Sequence, residues 1–498
     1  MFSAKALYQY IKSKNIIKNF HYVLLFLWAV IVLLAAFHHE IWYDEAVSFS
    51  IVKDSVNNPA RFLQYLHEEG HPPLWYLLEY PFANIFFGGG DFGSIQVISF
   101  LFMCLAVYYF LFKSPFNLFT KILFIFSSGM TYLLPVIARN YSLIPLFLFI
   151  LADLYPKRHT HPVFYALIIS ILSQIHSFMW GFCIICSVLF FIEIIQIYFQ
   201  SLKSKITNSK IISGYVFSFI ILFINYTSLF LIFKNLIFDK INEIKPLPDI
   251  LSELYYFMSF LPVSKGAGDE INLALFIFCF VIFLVIIFLI NKKSFIIFLF
   301  SVFCMNVILL GFFDVMGVPA QKMFVIFLFL IFCCWILQKN NKFLWTAKNV
   351  MLFIIMCFLF FNPPFYKVIK DEIHNYFSNQ PELARYLIPN LNENEKVLFV
   401  PFTGLFHSYF ADIKNIESLP DAEAEILTSK KIIDNDFLDK YINDNKSNIK
   451  YIVIHQEIEV KLHYPYIKVF QAPKNAVTSI YIEHPIENDY TVYMRVSD

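Results

Sequence analysis

The residues in this chain best suited to chemistry are an acid pair, set in Ile41-Trp42-Tyr43-Asp44-Glu45 just past the first long apolar run. Carboxylates are costly to hold beside hydrocarbon, so Asp44 and Glu45 invite a functional reading. A second short run, His71-Pro72-Pro73-Leu74-Trp75, follows in the same segment. Further along, Arg139 sits in Ala138-Arg139-Asn140-Tyr141-Ser142, His176 closes one apolar run and Lys322 opens another. Snorkelling accounts for any one of these cations alone. Their gathering on one membrane face, together with the acids, suits a ligand carrying a phosphate or diphosphate.

The elements that must position these residues are membrane helices. Apolar residues fill 58% of 498 positions and the mean hydropathy is +0.62, which excludes an ordinary soluble enzyme. A net charge of +1 says little, because the charges are sorted by membrane side and the sum hides this; no nucleic-acid partner is expected. Apolar runs recur at Phe20–Phe37, Ile95–Phe112, Leu118–Pro135, Tyr141–Tyr155, Val163–Ser177, Phe178–Phe199, Ile211–Phe233, Ile271–Ile290, Phe295–Phe313, Met323–Leu337 and Thr346–Phe361. These predict about eleven spans, hence a polytopic α-helical membrane protein.

Charge placement orients them. Lys5, Lys12, Lys14 and Lys18 precede the first span without an acid, so the N-terminus is expected in the cytoplasm. The later acid-free clusters at Lys113 with Lys121, Lys157 with Arg158, Lys203 with Lys205 and Lys210, Lys292 with Lys293, and Lys339 with Lys342 and Lys348 fall on that side only if Leu74–Phe87 does not cross. That segment is therefore expected to lie in the outer interface. The outer side then carries the loop 38–94, the loop 234–270 and the C-terminus. All eight cysteines fall inside apolar runs, and Cys183 with Cys186 read as small packing residues.

After Pro363-Pro364 the chain becomes charged. Lys396–Val400 and Lys450–Ile454 read as buried strands, Tyr466–Phe470 and Val477–Glu483 as further strands, and Ala422–Asn435 and Asp436–Asn445 as helices. The division is thus a membrane domain over 1–364 and a small extracytoplasmic α/β domain over 365–498.

The order of these features resembles the GT-C membrane glycosyltransferases, of the protein O-mannosyltransferase and lipid A aminoarabinose transferase type. The shared features are an acid pair after span one, an H-P-P-L-W run, an A-R-x-Y-S run, a histidine ending a span, a cation opening a late span and an outer α/β domain. The resemblance implies a sugar donor on a polyprenyl phosphate, used at the non-cytoplasmic face of an inner (plasma) membrane. The acceptor is a lipid, surface glycan or protein. It implies Asp44 as general base, with Glu45 positioning a substrate. His71, Arg139, Tyr141 and Lys322 would hold the donor phosphate, and Tyr43, Trp75 and His176 would line the site. Gln96 stands where the family often has arginine, and Lys322-Met323 where it has arginine-tyrosine. Lysine keeps the charge but loses the bidentate fork.

Inverting transfer needs a base on the acceptor hydroxyl and stabilisation of a departing phosphate. No resident cofactor is expected, and no metal ligand spacing is visible; a divalent cation bound by acids is the variant related folds use. An O-antigen-type polymerase or ligase, and a polysaccharide or lipid transporter, are the alternatives. A transporter predicts charged residues within its spans.

Overall fold

The computed structural model describes residues 14–39, 45, 48–49, 51–52, 62–66, 71–85, 93–204, 209–242, 293, 296–302, 304, 320–340, 380–392, 395–400, 416–418, 432–434, 449–455, 459–462, 466–471 and 490–495. The chain divides into two compact units. One comprises Met1–Phe37 with Ile51–Phe365, and the other His38–Ser50 with Tyr366–Asp498.

The first unit is helical. Its elements are α1 (Lys14–His38), α2 (Leu74–Asn84), α3 (Gly93–Lys113), α4 (Leu118–Ile125), α5 (Ile144–Leu154), α6 (Pro162–Ser173), α7 (Met179–Ser204), α8 (Ser209–Asn242) and α9 (Ala320–Asn340). Among the described residues, four stretches are long and apolar enough to cross a membrane: Lys18–His38, Ile95–Lys113, Met179–Gln200 and Ile212–Lys234. In α1, Leu24, Trp28, Val32 and Ala35 form a buried stripe at helical spacing, while Phe26, Leu34 and Phe37 are exposed on the other side. A helix apolar on all faces, with large apolar side chains outward, is built for lipid. α5 packs on α3, α6 and α9, and α6 packs on α7 and α8.

Three expected spans differ from continuous membrane helices. α4 holds eight residues, α5 eleven and α6 twelve. The run Leu118–Pro135 breaks after Ile125 and re-forms as a π-helical turn over Gly129–Leu133. Breaking a helix at membrane depth frees backbone groups that must find partners. Trp28 Nε1 donates to the Met130 carbonyl at 2.9 Å, and Thr131 Oγ1 donates to the Ser127 carbonyl at 2.7 Å. Glycine is needed at 129 because a Cβ there would collide with the Phe324 ring. Lys121, expected in an inner loop, is buried in α4 with Nζ on the Leu111 carbonyl.

α2 is about 16 Å long, too short to cross hydrocarbon. α8 runs on to Asn242, past Lys234 where the outer loop was expected to begin. The rest of that loop, and the expected spans Ile271–Ile290 and Thr346–Phe361, lie outside the described residues.

The second unit holds α10 (Gln380–Asn390) and strands β1 (Lys396–Val400), β2 (Ile416–Ser418), β3 (Ile432–Asp434), β4 (Ile449–His455), β5 (Glu459–Lys461), β6 (Tyr466–Gln471) and β7 (Tyr490–Arg495). Five strands form one sheet in the order β2-β1-β4-β7-β6. β2, β1 and β4 are parallel, and β7 runs antiparallel to β4 and β6. β3 and β5 pair separately. Leu383 and Leu387, one turn apart on α10, pack on Val397, Tyr451, Val453 and Val492. Val397 stands opposite Tyr451 in the ladder, so one sheet face carries the core. The strands at Lys396–Val400, Lys450–Ile454 and Tyr466–Phe470 form where the sequence places them. Ile432–Asp434 is a strand, not the end of a helix over Ala422–Asn435. The segment Val477–Glu483 lies outside the described residues.

Candidate functional site

Three non-helical segments of the first unit meet, each held by its local sequence. His71-Pro72-Pro73 precedes α2, and proline suits that position because a first-turn N–H has no helical partner. The Leu74 N–H then donates out of the helix to the Gln174 carbonyl at 3.3 Å. Arg139 is extended, with φ −131° and ψ 166°, and leads into a 3₁₀ turn over Asn140–Leu143. The Ser142 N–H and hydroxyl both donate to the Arg139 carbonyl, at 3.0 and 2.9 Å. Ser99 Oγ of α3 reaches Ser142 Oγ at 3.1 Å. The third segment, 173–178, joins α6 to α7. Asn225 of α8 ties it from behind, with Nδ2 donating to Ser173 Oγ at 2.8 Å and Oδ1 accepting from Gln174 Nε2 at 2.9 Å.

His176 sits where the segments converge. Its Nδ1 accepts the Phe178 N–H at 3.1 Å, so in the neutral ring the proton is on Nε2. Nε2 therefore donates to the Tyr141 hydroxyl at 2.9 Å. The His176 ring lies 4.1 Å from Phe178 and 4.6 Å from both Tyr141 and His71, between ring centres. Arg139 Nη2 is 3.5 Å from His71 Nε2, a long contact in which the guanidinium can only donate. His71, Arg139, Asn140, Tyr141 and His176 are all buried. Asn140 Nδ2 donates to the Ile175 carbonyl at 3.1 Å. The cluster therefore brings together one fixed cation, two imidazoles and a phenol that accepts from His176. Such a set of donors suits an anion.

Of the residues singled out in the sequence, the fold brings His71, Arg139, Tyr141 and His176 together. Trp75 is buried on α2, one turn from Glu79, which is also buried. Lys322 falls in the first turn of α9, and its side chain lies outside the described residues. Tyr43 and Asp44 also lie outside them. Glu45 belongs to the second unit, where its Oε2 accepts from His39 Nε2 at 2.9 Å with both side chains all but inaccessible. Among the described residues, no group of three or more His, Cys, Asp or Glu is arranged to hold a metal.

Sequence reasoning missed His39, Asn140 and Asn225. Asn225 did carry a signal, as a lone amide inside an apolar run. It also missed an intramembrane charge. Glu193, inside α7, accepts from Arg158 Nε and Nη2 at 2.6 and 2.8 Å, from His159 Nε2 at 3.1 Å and from Lys293 Nζ at 2.5 Å. The Arg158 guanidinium also lies 4.2 Å from the centre of the Tyr155 ring.

Among the described residues the protein is mostly helical, with four membrane-length apolar helices and a small sheet. No known protein family matches it, and no curated protein matches its sequence.

Proposed function

We propose that this protein is a membrane glycosyltransferase that moves a sugar, with inversion, from a polyprenyl-phosphate-linked donor to a lipid, glycan or protein acceptor. The observation that carries the reading is the convergence of Arg139, His71, Tyr141 and His176 in one buried, donor-rich cluster. That cluster is the donor-phosphate site, where the Arg139 guanidinium and Tyr141 hydroxyl stabilise the departing phosphate. Lys322 supplies a second cation there. Asp44 takes the proton of the acceptor hydroxyl, and Glu45 positions a substrate. No resident cofactor takes part. The full topology is eleven spans in an inner (plasma) membrane, with a cytoplasmic N-terminus and the C-terminal α/β domain outside.

The transporter reading is favoured by one observation, the Glu193 carboxylate inside α7. Its salt bridges to Arg158 and Lys293 and its contact with His159 suit a fixed clamp between elements better than a moving charge. The test is transfer of label from radiolabelled polyprenyl-phosphate sugars to a surface glycan in membranes with and without the chain. Label that depends on the chain supports the glycosyltransferase. Identical labelling in both membranes refutes it.

A further inference from the structure

α8 carries an amide on its inward face. Phe223 and Ile224 are exposed, while Leu222, Asn225, Leu229 and Phe233 are buried on the other side of the helix. An amide inside an apolar span gains by bonding to another helix. Asn225 bonds to two consecutive residues of the segment 173–178. Its Nδ2 donates to Ser173 Oγ at 2.8 Å, and its Oδ1 accepts from Gln174 Nε2 at 2.9 Å. Ser173 Oγ spends its own hydrogen on the Ser170 carbonyl at 2.8 Å, so it can only accept from Asn225. This fixes which way round the Asn225 amide sits.

The clamped segment holds the rest of the cluster through its main chain. The Gln174 carbonyl accepts the Leu74 N–H at 3.3 Å, which anchors the start of α2 beside His71-Pro72-Pro73. The Ile175 carbonyl accepts from Asn140 Nδ2 at 3.1 Å. Farther on, the Phe178 N–H donates to His176 Nδ1 at 3.1 Å and leaves Nε2 to donate to Tyr141. That bond depends on the turn at 176–178, closed by the Met179 N–H on the His176 carbonyl at 2.9 Å.

We infer that Asn225 is a positioning residue. By clamping Ser173 and Gln174 it holds the segment whose turn fixes the His176 ring in its Nε2–H form, and so sets how the cluster meets the donor phosphate. Its part in transfer rests on the donor-phosphate reading of the cluster. Asn225 acts through His176 rather than on the substrate.

The test uses the full chain in lipid nanodiscs with nitrogen-15 histidine, the His176 signal being assigned by its loss in His176→Ala. Asn225→Leu keeps the volume and removes both arms of the clamp. Gln174→Met keeps the length and removes one, and it decides the matter if Asn225→Leu does not fold. Wild type is expected to show one His176 tautomer. Both variants are expected to show a mixture, and transfer from a radiolabelled polyprenyl-phosphate sugar at limiting donor should fall about three- to tenfold at equal folded protein. Ser187→Ala breaks the 2.9 Å contact with Tyr226, next to Asn225 in the chain, and should change neither readout. An unmoved His176 signal would overturn the inference, as would a moved signal with unchanged transfer or an equal loss in Ser187→Ala. A moved signal in a chain whose wild type transfers no sugar would keep the clamp and sink the donor-phosphate reading.

Discussion

His176 donates from Nε2 to the Tyr141 hydroxyl across 2.9 Å, and both side chains are buried. Tyr141→Phe keeps the ring stack but leaves the His176 donor without this acceptor. The expected cost is about 1–3 kcal/mol of stability. Thermal unfolding of the purified protein in detergent reads it, and an unchanged Tm would show that the bond contributes nothing.

Glu193 is the hub of the clamp formed with Arg158, His159 and Lys293. Glu193→Gln removes the charge that these cations share in a partly buried setting. A loss of roughly 3 kcal/mol is expected. Arg158→Lys should also destabilise, because lysine cannot replace the two-bond fork to Glu193. Unfolding midpoints for the two variants, set beside wild type, check both.

The close approach of Gly129 to the Phe324 ring gives a paired test. Gly129→Ala is expected to cost about 1–3 kcal/mol through overpacking. Phe324→Ala removes the obstructing ring, so the double variant should lose less than the sum of the two single losses. Strict additivity would mean the two residues do not meet.

In the second unit, Lys450 Nζ donates to Glu395 Oε1 at 2.7 Å. Burial pushes the Glu395 carboxyl up, but hydrogen bonds from Lys450 and Asn392 outweigh it and hold it below the usual carboxylate range. The same bond raises the Lys450 ammonium. The carboxylate's contribution is therefore present above its unfolded pKa and lost as pH falls through its lowered folded value. The ammonium's contribution is present below its unfolded pKa and lost as pH rises through its raised value. The pair is partly open to solvent, which screens it, so about 1 kcal/mol is at stake. Lys450→Ala should lower the Tm slightly at pH 7, and the gap from wild type should close as acid protonates Glu395.

Much of this architecture was readable from residues alone, and the failures have physical causes. β1 and β4 announce themselves through unbroken apolar runs such as Val397-Leu398-Phe399-Val400. β3 did not, because three residues between polar stretches carry too little periodicity. The break after α4 falls at Phe126-Ser127-Ser128, but hydropathy averages across such a break. Glu193 pairs with Arg158 across 35 positions, so a charge that looks isolated in one run is matched by a loop cation. In the candidate site, the types of Arg139, Tyr141, His71 and His176 were legible. Their gathering was expected from the face assignment and the resemblance, but their particular contacts were not legible, since 68 positions separate Arg139 from His71. Asn140 was overlooked because its role depends on which carbonyl its amide finds.

The catalytic acid has its own test. Asp44→Asn keeps the size of the side chain and removes the base, so transfer should fall about a hundredfold or more. Glu45→Gln should be milder if Glu45 only positions a substrate. The comparison requires matched protein levels, and near-normal turnover in Asp44→Asn would remove the base assignment.

The central claim is that Arg139 holds the phosphate of a lipid-linked sugar donor. The most direct measurement is the rate of sugar transfer from a radiolabelled polyprenyl-phosphate sugar at limiting donor, for wild type and Arg139→Ala at equal folded protein. A charge-assisted contact of this kind is worth roughly 1.5–3 kcal/mol, so the account predicts a loss of about ten- to a hundredfold that excess donor partly restores. Equal rates in the two proteins at limiting donor would contradict it.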